Sequence, residues 1–234
     1  MISSFYTAAT GAIQLQKGVD VIANNVANVS TTGYKASESS FADLLYTNIK
    51  DPAGTDTDLK SGHGTRLNKT DTVFTQGALQ DTGRSLDYAL TQPNQFFAVE
   101  KNGQVQYTRS GDFHLSVENG TNYLVASDGA YVLNNNGERV AVANEQDAAP
   151  VGVFSFQNCD GLVRQGDTRF SAAAASGPAA PVAGAQAKQG WLEDSSVSVA
   201  DEMVNVLEKH RAFQMNSKIV QLSDEIMQTV NALR

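Results

Sequence analysis

Three histidines and one cysteine are the side chains with most scope for metal or nucleophilic chemistry in this chain. His63 lies in Ser61-Gly62-His63-Gly64, which reads as a turn. His114 stands between Phe113 and Leu115 in an alternating run that directs it to solvent from a strand. His210, between Lys209 and Arg211, belongs to a basic helical patch. None of the three has the spacing of a His-Glu-x-x-His pair or of another metal-ligand set. Cys159 precedes Asp160-Gly161 without a Cys-His signature and reads as a small, buried or semi-buried residue. The nucleophile elbow Gly-x-Ser-x-Gly, the Walker loop and Gly-x-Gly-x-x-Gly are all missing. The carboxylates are scattered through turns and helix starts, so hydrolytic chemistry would need a pair that meets only in three dimensions. The expectation is a protein that is not an enzyme, with no catalytic residue, metal or cofactor.

The composition narrows the class further. The 234 residues suffice for one or two domains. Only 18% are charged, against about 25% in an average globular protein, and the net charge is −8. That balance argues against a nucleic-acid backbone or an anionic membrane as partner, because both select for excess Lys and Arg. One cysteine excludes an intrachain disulfide. No apolar run approaches the ~20 residues that span a bilayer, so no membrane insertion is expected. Met1-Ile2-Ser3-Ser4-Phe5 lacks the basic and apolar regions of a cleavable secretory signal. The expected protein is cytosolic or leaves the cytoplasm by a route without such a signal.

The elements that must position any functional residue differ between the ends and the middle. Phe5, Ala8, Ala12, Leu15, Val19, Ile22, Val26 and Val29 follow a 3,4 spacing, the a/d seam of a heptad helix. This is the face of a helix on its own core, or a seam for another helix in this chain or the next. Ser3 or Ser4 can cap its start, and Asn28-Val29-Ser30-Thr31-Thr32-Gly33 marks its end. At the other end, Ser198 is a good N-cap, with Asp201 and Glu202 in the first turn. Val199, Met203, Val206, Phe213, Val220 and Met227 form one apolar line there, and Met215, Ile219, Leu222, Ile226 and Leu233 a second. Two lines mean burial on more than one side, and no Pro or Gly interrupts residues 198–234.

The middle reads as antiparallel β structure. Asn102-Gly103, Asn119-Gly120, Asp128-Gly129, Asn136-Gly137 and Asp160-Gly161 are hairpin-type dipeptides. Between them, Phe113, Leu115 and Val117 alternate with polar residues, as do Phe97 and Val99 more loosely. A small sandwich or barrel-like body is expected. Residues 50–65 have turn chemistry and no period, and the Ala/Gly/Pro-rich residues 171–190 read as a loop or linker. The resulting division is an N-terminal assembly helix at 1–33, a connecting segment at 34–65, a β domain at 66–170, a return segment at 171–197 and a C-terminal assembly helix at 198–234. The fold class is α+β, its long terminal helices pairing as a coiled coil around a central antiparallel β domain. Terminal helices with more apolar surface than one small body covers suggest a subunit that polymerises through its ends.

The segment Ala23-Asn24-Asn25-Val26-Ala27-Asn28-Val29-Ser30-Thr31-Thr32-Gly33-Tyr34-Lys35, with Tyr6-Thr7-Ala8-Ala9-Thr10-Gly11 before it, resembles the N-terminal signature of bacterial flagellar basal-body rod and hook proteins. Gly190-Trp191-Leu192-Glu193-Asp194-Ser195-Ser196-Val197, Glu202-Met203-Val204 and His210-Arg211-Ala212-Phe213-Gln214-Met215-Asn216-Ser217-Lys218 resemble the C-terminal segment of the same family. Thr75-Gln76-Gly77-Ala78-Leu79, Ser85-Leu86-Asp87-Tyr88-Ala89-Leu90, Phe96-Phe97-Ala98-Val99 and Tyr107–Phe113 resemble its middle.

The resemblance implies a non-enzymatic axial component of the flagellum, a helical homopolymer in which the terminal helices pair and line a tube. Its implied partners are further copies, neighbouring rod and hook proteins and the flagellar type III export apparatus. Asn24, Asn25, Asn28, Thr31, Thr32 and Gly33 would form the signature turn. The seam from Phe5 to Val29 and Met203, Val206, Phe213, Met215, Ile219, Leu222 and Ile226 would mediate assembly. Phe41 and Leu45 fit a Phe-x-x-x-hydrophobic export-gate motif. The implied location is the basal body, outside the cytoplasmic membrane. Length and middle motifs suit rod-type members, the distal type ahead of the proximal and hook types. Outside the family, the alternative is a phage-tail or adhesin-like stalk-and-head protein.

Overall fold

Both ends of the chain are helices in a computed structural model, which describes residues 3–50, 56–118, 120–143, 149–182, 184–185 and 187–233. Helix α1 spans Ser3–Ala27. It stops two residues short of Val29, where its apolar spacing ends, so Val29 falls in the following turn. There the Thr31 hydroxyl donates to Asn28 Oδ1 at 3.3 Å and the Thr31 amide to the Asn28 carbonyl at 3.1 Å. These short side chains compete for the groups that would continue the helix. Gly33 then takes φ +66°, a left-handed value that glycine adopts without a Cβ penalty. Helix α2 spans Val199–Ala232. Ser198 caps it, its hydroxyl accepting from the Asp201 amide at 3.4 Å, and Asp201 and Glu202 complement the dipole. Its 34 residues rise about 51 Å.

The chain divides into two units, one holding α1 up to Val26, residues 37–71 and α2, the other residues 27–36 and 72–197. In the first unit, β1 (Ser37–Asp43) pairs with β4 (Thr65–Thr72), and β2 (Tyr46–Lys50) with β3 (Asp56–Gly62) as an antiparallel ribbon. Residues 50–65, expected to be an aperiodic turn segment, are therefore mostly strand; residues 51–55 lie outside the described residues. Thr47, Asn48, Leu59 and Lys60 are all exposed. Among its described side chains none is buried, so there is nothing to impress a period of two on the sequence.

The second unit contains β5 (Leu79–Asp81), β6 (Tyr88–Ala89), β7 (Gln95–Lys101), β8 (Gln104–Thr108), β9 (Phe113–Glu118), β10 (Thr121–Ala126) and β11 (Tyr131–Val132). It continues with β12 (Val153–Ser155), β13 (Val163–Gly166), β14 (Arg169–Ser171), β15 (Ala180–Pro181), β16 (Lys188–Gln189) and β17 (Trp191–Glu193). Nine of these form one sheet in the order β13-β14-β8-β7-β11-β10-β9, with β12 joining β7 to β15. Every recorded strand pair in it is antiparallel.

Strand β7 is the middle of the core and is buried from Gln95 to Val99. Successive side chains point to opposite faces. Phe97 and Val99 therefore enter one cluster with Leu86, Tyr88, Leu90, Phe113 and Leu124. Phe96 and Ala98 enter another with Tyr107, Leu133, Phe156 and Phe170. A strand covered on both faces carries a continuous apolar run, which is why Phe97 and Val99 show so little alternation in the sequence. Asn102-Gly103 closes the β7–β8 hairpin with φ values of 52° and 77°. Asp160-Gly161 is instead part of a short 3-10 turn at Cys159–Gly161. Asn119, of the dipeptide between β9 and β10, lies outside the described residues. The sequence offered no hairpin signal for Asp167-Thr168, yet these residues join β13 to β14 at φ 49° and 56°. The stretch 171–190, expected to be a loop or linker, also supplies strands: β15 pairs with β12 and β16 with β6.

One buried ion cluster closes this unit. Glu193 Oε1 accepts from Lys35 Nζ at 2.6 Å and from the Gly77 amide at 2.9 Å. Glu193 Oε2 accepts from Arg109 Nε at 2.9 Å and Nη2 at 2.6 Å. Lys35 Nζ also donates to the Thr75 carbonyl at 2.5 Å. Arg109 Nη1 donates to the carbonyls of Gln92, Pro93 and Gln95. All three charged side chains are at most 1% exposed. Burial pushes both the Lys35 ammonium and the Arg109 guanidinium below their ordinary pKa values, against the pull of Glu193. Removing one member leaves buried charge without its partner, which costs about 3–5 kcal/mol. Glu193→Ala should therefore lower the unfolding free energy of the β unit by about that amount, read by urea denaturation; a loss below about 1 kcal/mol would contradict this role of the cluster.

Candidate assembly surface

Among the described residues, no group of three or more His, Cys, Asp or Glu could hold a metal ion, and no helix is long and apolar enough to cross a membrane. His63 Nδ1 lies 3.0 Å from the Leu45 carbonyl, and His114 and His210 are exposed. Cys159 is half-buried, its thiol pushed up by burial and then by Asp160. The features that remain are the two long helices.

Helices α1 and α2 meet in antiparallel order through small and polar residues. Ser4 Oγ lies 3.4 Å from Ser223 Oγ. A Cβ on Gly11 would stand 3.1 Å from Asn216 Nδ2. A Cβ on Gly18 would stand 3.4 Å from Lys209 Cδ and 3.0 Å from Phe41 Cζ. Asn25 Nδ2 donates to Glu202 Oε1 at 2.7 Å. Each step of seven along α1 is answered by a step of seven backwards along α2. This line lies to one side of the apolar seam expected from the sequence, and its signal was a small or polar residue every seventh position. Asn25 is 1% exposed and fully used, since Nδ2 also donates to the Ser37 carbonyl at 2.8 Å and Oδ1 accepts the Ser37 amide at 2.9 Å.

The expected seam residues are divided by this arrangement. Ala8 and Ile22 are buried; Ala12, Leu15 and Val19 are half-buried; Phe5 and Val26 are exposed. Of the residues expected in the signature turn, Asn24 and Asn25 lie instead in the last turn of α1, the first exposed and the second buried, while Asn28, Thr31 and Thr32 are half-buried and Gly33 is buried in the turn itself. Phe41 is half-buried where β1 crosses Gly18, with Lys209 Nζ 5.0 Å from its ring centroid, whereas Leu45 is 88% exposed.

On α2, Val206 is half-buried, while Met203, Phe213, Met215, Ile219, Leu222 and Ile226 are all exposed. Met215, Ile219, Leu222, Ile226, Val230 and Leu233 recur at intervals of three and four, so they share one face of the helix. Exposure runs from 43% at Ile219 to 83% at Leu233. The stripe is about 27 Å long at 1.5 Å per residue. Large contiguous apolar faces of this kind mark interaction sites.

The glycine contacts also make a direct test of the helix pairing. Gly18→Leu puts a branched side chain where Phe41 and Lys209 now lie. Amide exchange in the first half of α2 should rise at least about tenfold, as expected when a packed helix is released to local opening. Unchanged protection, measured by hydrogen exchange with mass spectrometry, would show that the helices do not depend on this approach.

Comparison with known proteins agrees with these features. Residues 5–35 match the family model described as flagella basal body rod protein. Residues 188–233 match that of the flagellar basal body rod FlgEFG protein C-terminal. The flagellar basal-body rod protein FlgG of Bacillus subtilis (strain 168) is 32% identical, the match covering 100% of both chains. FlgG of Buchnera aphidicola subsp. Schizaphis graminum (strain Sg) is 34% identical, again over 100% of both. The flagellar hook-basal body complex protein FlhP of Bacillus subtilis (strain 168) is 31% identical with the same coverage. With a helix at each end, an antiparallel β body between them and full-length relatives above 30% identity, the chain belongs to the flagellar basal-body rod protein family.

Proposed function

We propose that the chain is a structural subunit of the flagellar basal-body rod that polymerises through its terminal helices into a tubular, torque-transmitting axial structure. The observation that carries this reading is the exposed apolar stripe from Met215 to Leu233, on a helix that meets α1 through Glu202, Lys209, Asn216 and Ser223. Burying one Leu, Ile or Met side chain is worth roughly 1.5–3 kcal/mol. A stripe of such residues repeated in every copy offsets the entropy lost on association. Within a lattice, α1 and α2 pair as a coiled coil, and Phe5, Val26, Met203 and Phe213 complete the contacts to neighbours.

The partners are further copies of the chain, with adjoining rod and hook proteins at the ends of the stack. Before assembly the chain passes the flagellar type III export apparatus without a cleaved signal, Phe41 and Leu45 acting as the export-gate motif while unfolded. The full-length likeness to the FlgG relatives supports the distal-rod subtype.

The double variant Leu222→Asp/Ile226→Asp tests the role of the stripe. Both side chains are exposed, so the subunit should keep its stability within about 0.5 kcal/mol. Motility in soft agar and rods in purified basal bodies should be lost. Normal swimming with this variant would overturn the assembly reading.

A further inference from the structure

We propose that the β unit is gated on its last segment, so that the nine-stranded sheet reaches its stable folded state only when residues 188–196 dock. A chain made N-terminus first then stays unfolded until almost the whole body is available.

Three separate observations carry this. The first is charge. Lys35 and Arg109 are fully buried, and their common carboxylate comes from a residue 158 and 84 positions later. Arg109 follows β8 directly and holds the carbonyls of Gln92, Pro93 and Gln95, so it forms part of the sheet's own end. A sheet completed before Glu193 arrives would hold that guanidinium without its anion.

The second is strand pairing. β5 pairs with β17 and β6 with β16, both as two-stranded sheets outside the nine-stranded one. Until the late segment arrives, β5 and β6 lack these partners, yet Leu86, Tyr88 and Leu90 around β6 belong to the cluster that covers Phe97 and Val99.

The third is the backbone. The Gly33 amide donates to the Glu193 carbonyl at 2.8 Å and the Ser196 amide to the Tyr34 carbonyl at 3.0 Å. The Ala36 amide donates to Ser196 Oγ at 3.0 Å, and the Gly190 amide to the Asp87 carbonyl at 2.8 Å. One short late segment thus satisfies groups from residues 33–36 and 77–87 together. Such long-range contacts close only after the intervening chain is present.

The test is refolding of the full-length chain from urea, followed by pulse-labelled hydrogen exchange and mass spectrometry. Amides of residues 95–108 and 188–196 should gain protection in one phase, with rate constants agreeing within about twofold. Glu193→Gln should slow that phase at least about a hundredfold while changing the unfolding rate less than about threefold, the behaviour of an interaction already formed in the transition state. Protection of residues 95–108 in an earlier phase than residues 188–196 would overturn the gate. So would a Glu193→Gln chain that refolds at the normal rate and only unfolds faster. If that variant does not fold, the labelling of the unaltered chain decides alone.

Discussion

Glu193 ties both ends of the β unit to its middle. Its two oxygens hold a lysine from the N-terminal signature, an arginine from the middle of the chain and a backbone amide at Gly77. In an apolar interior such a carboxylate is worth having only when its hydrogen-bonding positions are filled, and here they are. The consequence is topological. Residues 33–36 and 193–196 are hydrogen-bonded side by side, so the first and last segments of the β unit are neighbours. The long helices follow within a few residues at Ala27 and Val199. A charge cluster of this kind adds little net stability over an apolar substitute, but it penalises any arrangement that leaves a member unpaired.

The helices apply the same logic to pairing. Where α1 and α2 touch, the side chains are Ser4, Gly11, Gly18 and Asn25 against Ser223, Asn216, Lys209 and Glu202. Glycine lets the backbones approach, and the Asn25–Glu202 bond fixes one register, as a polar residue in a helical seam commonly does. The apolar residues from Met215 to Leu233 are left exposed. A monomer would bury them, whereas a subunit that packs against copies of itself has reason to present them.

Much of this was legible in the residues. The α+β order of elements, the Ser198 cap and most of the turns at Asn-Gly and Asp-Gly follow from local chemistry, which acts over a few positions. The ribbon at residues 46–62 was not legible, since exposure on both faces removes the alternation by which a strand announces itself. Asp167-Thr168 was missed because left-handed turns usually carry Asn or Gly. The 3,4 apolar spacing on α1 is there, yet Phe5 and Val26 on it are exposed. A spacing shows that a face exists and is silent on which partner takes it.

The sequence by itself determined the two helices, the β character of the middle and the strong family motifs, because helix caps, turn residues and heptad spacings express short-range physics. It also contained Lys35, Arg109 and Glu193 within those motifs, but as three charged residues with no stated relation. Only the tertiary structure decided that they meet, that Asn25 is saturated by Ser37 and Glu202, and that the stripe from Met215 to Leu233 is left bare. Those outcomes depend on contacts between residues up to 219 positions apart, as at Ser4 and Ser223. Pairing at that range is selected by burial and charge compensation over the whole chain, and no local pattern encodes it.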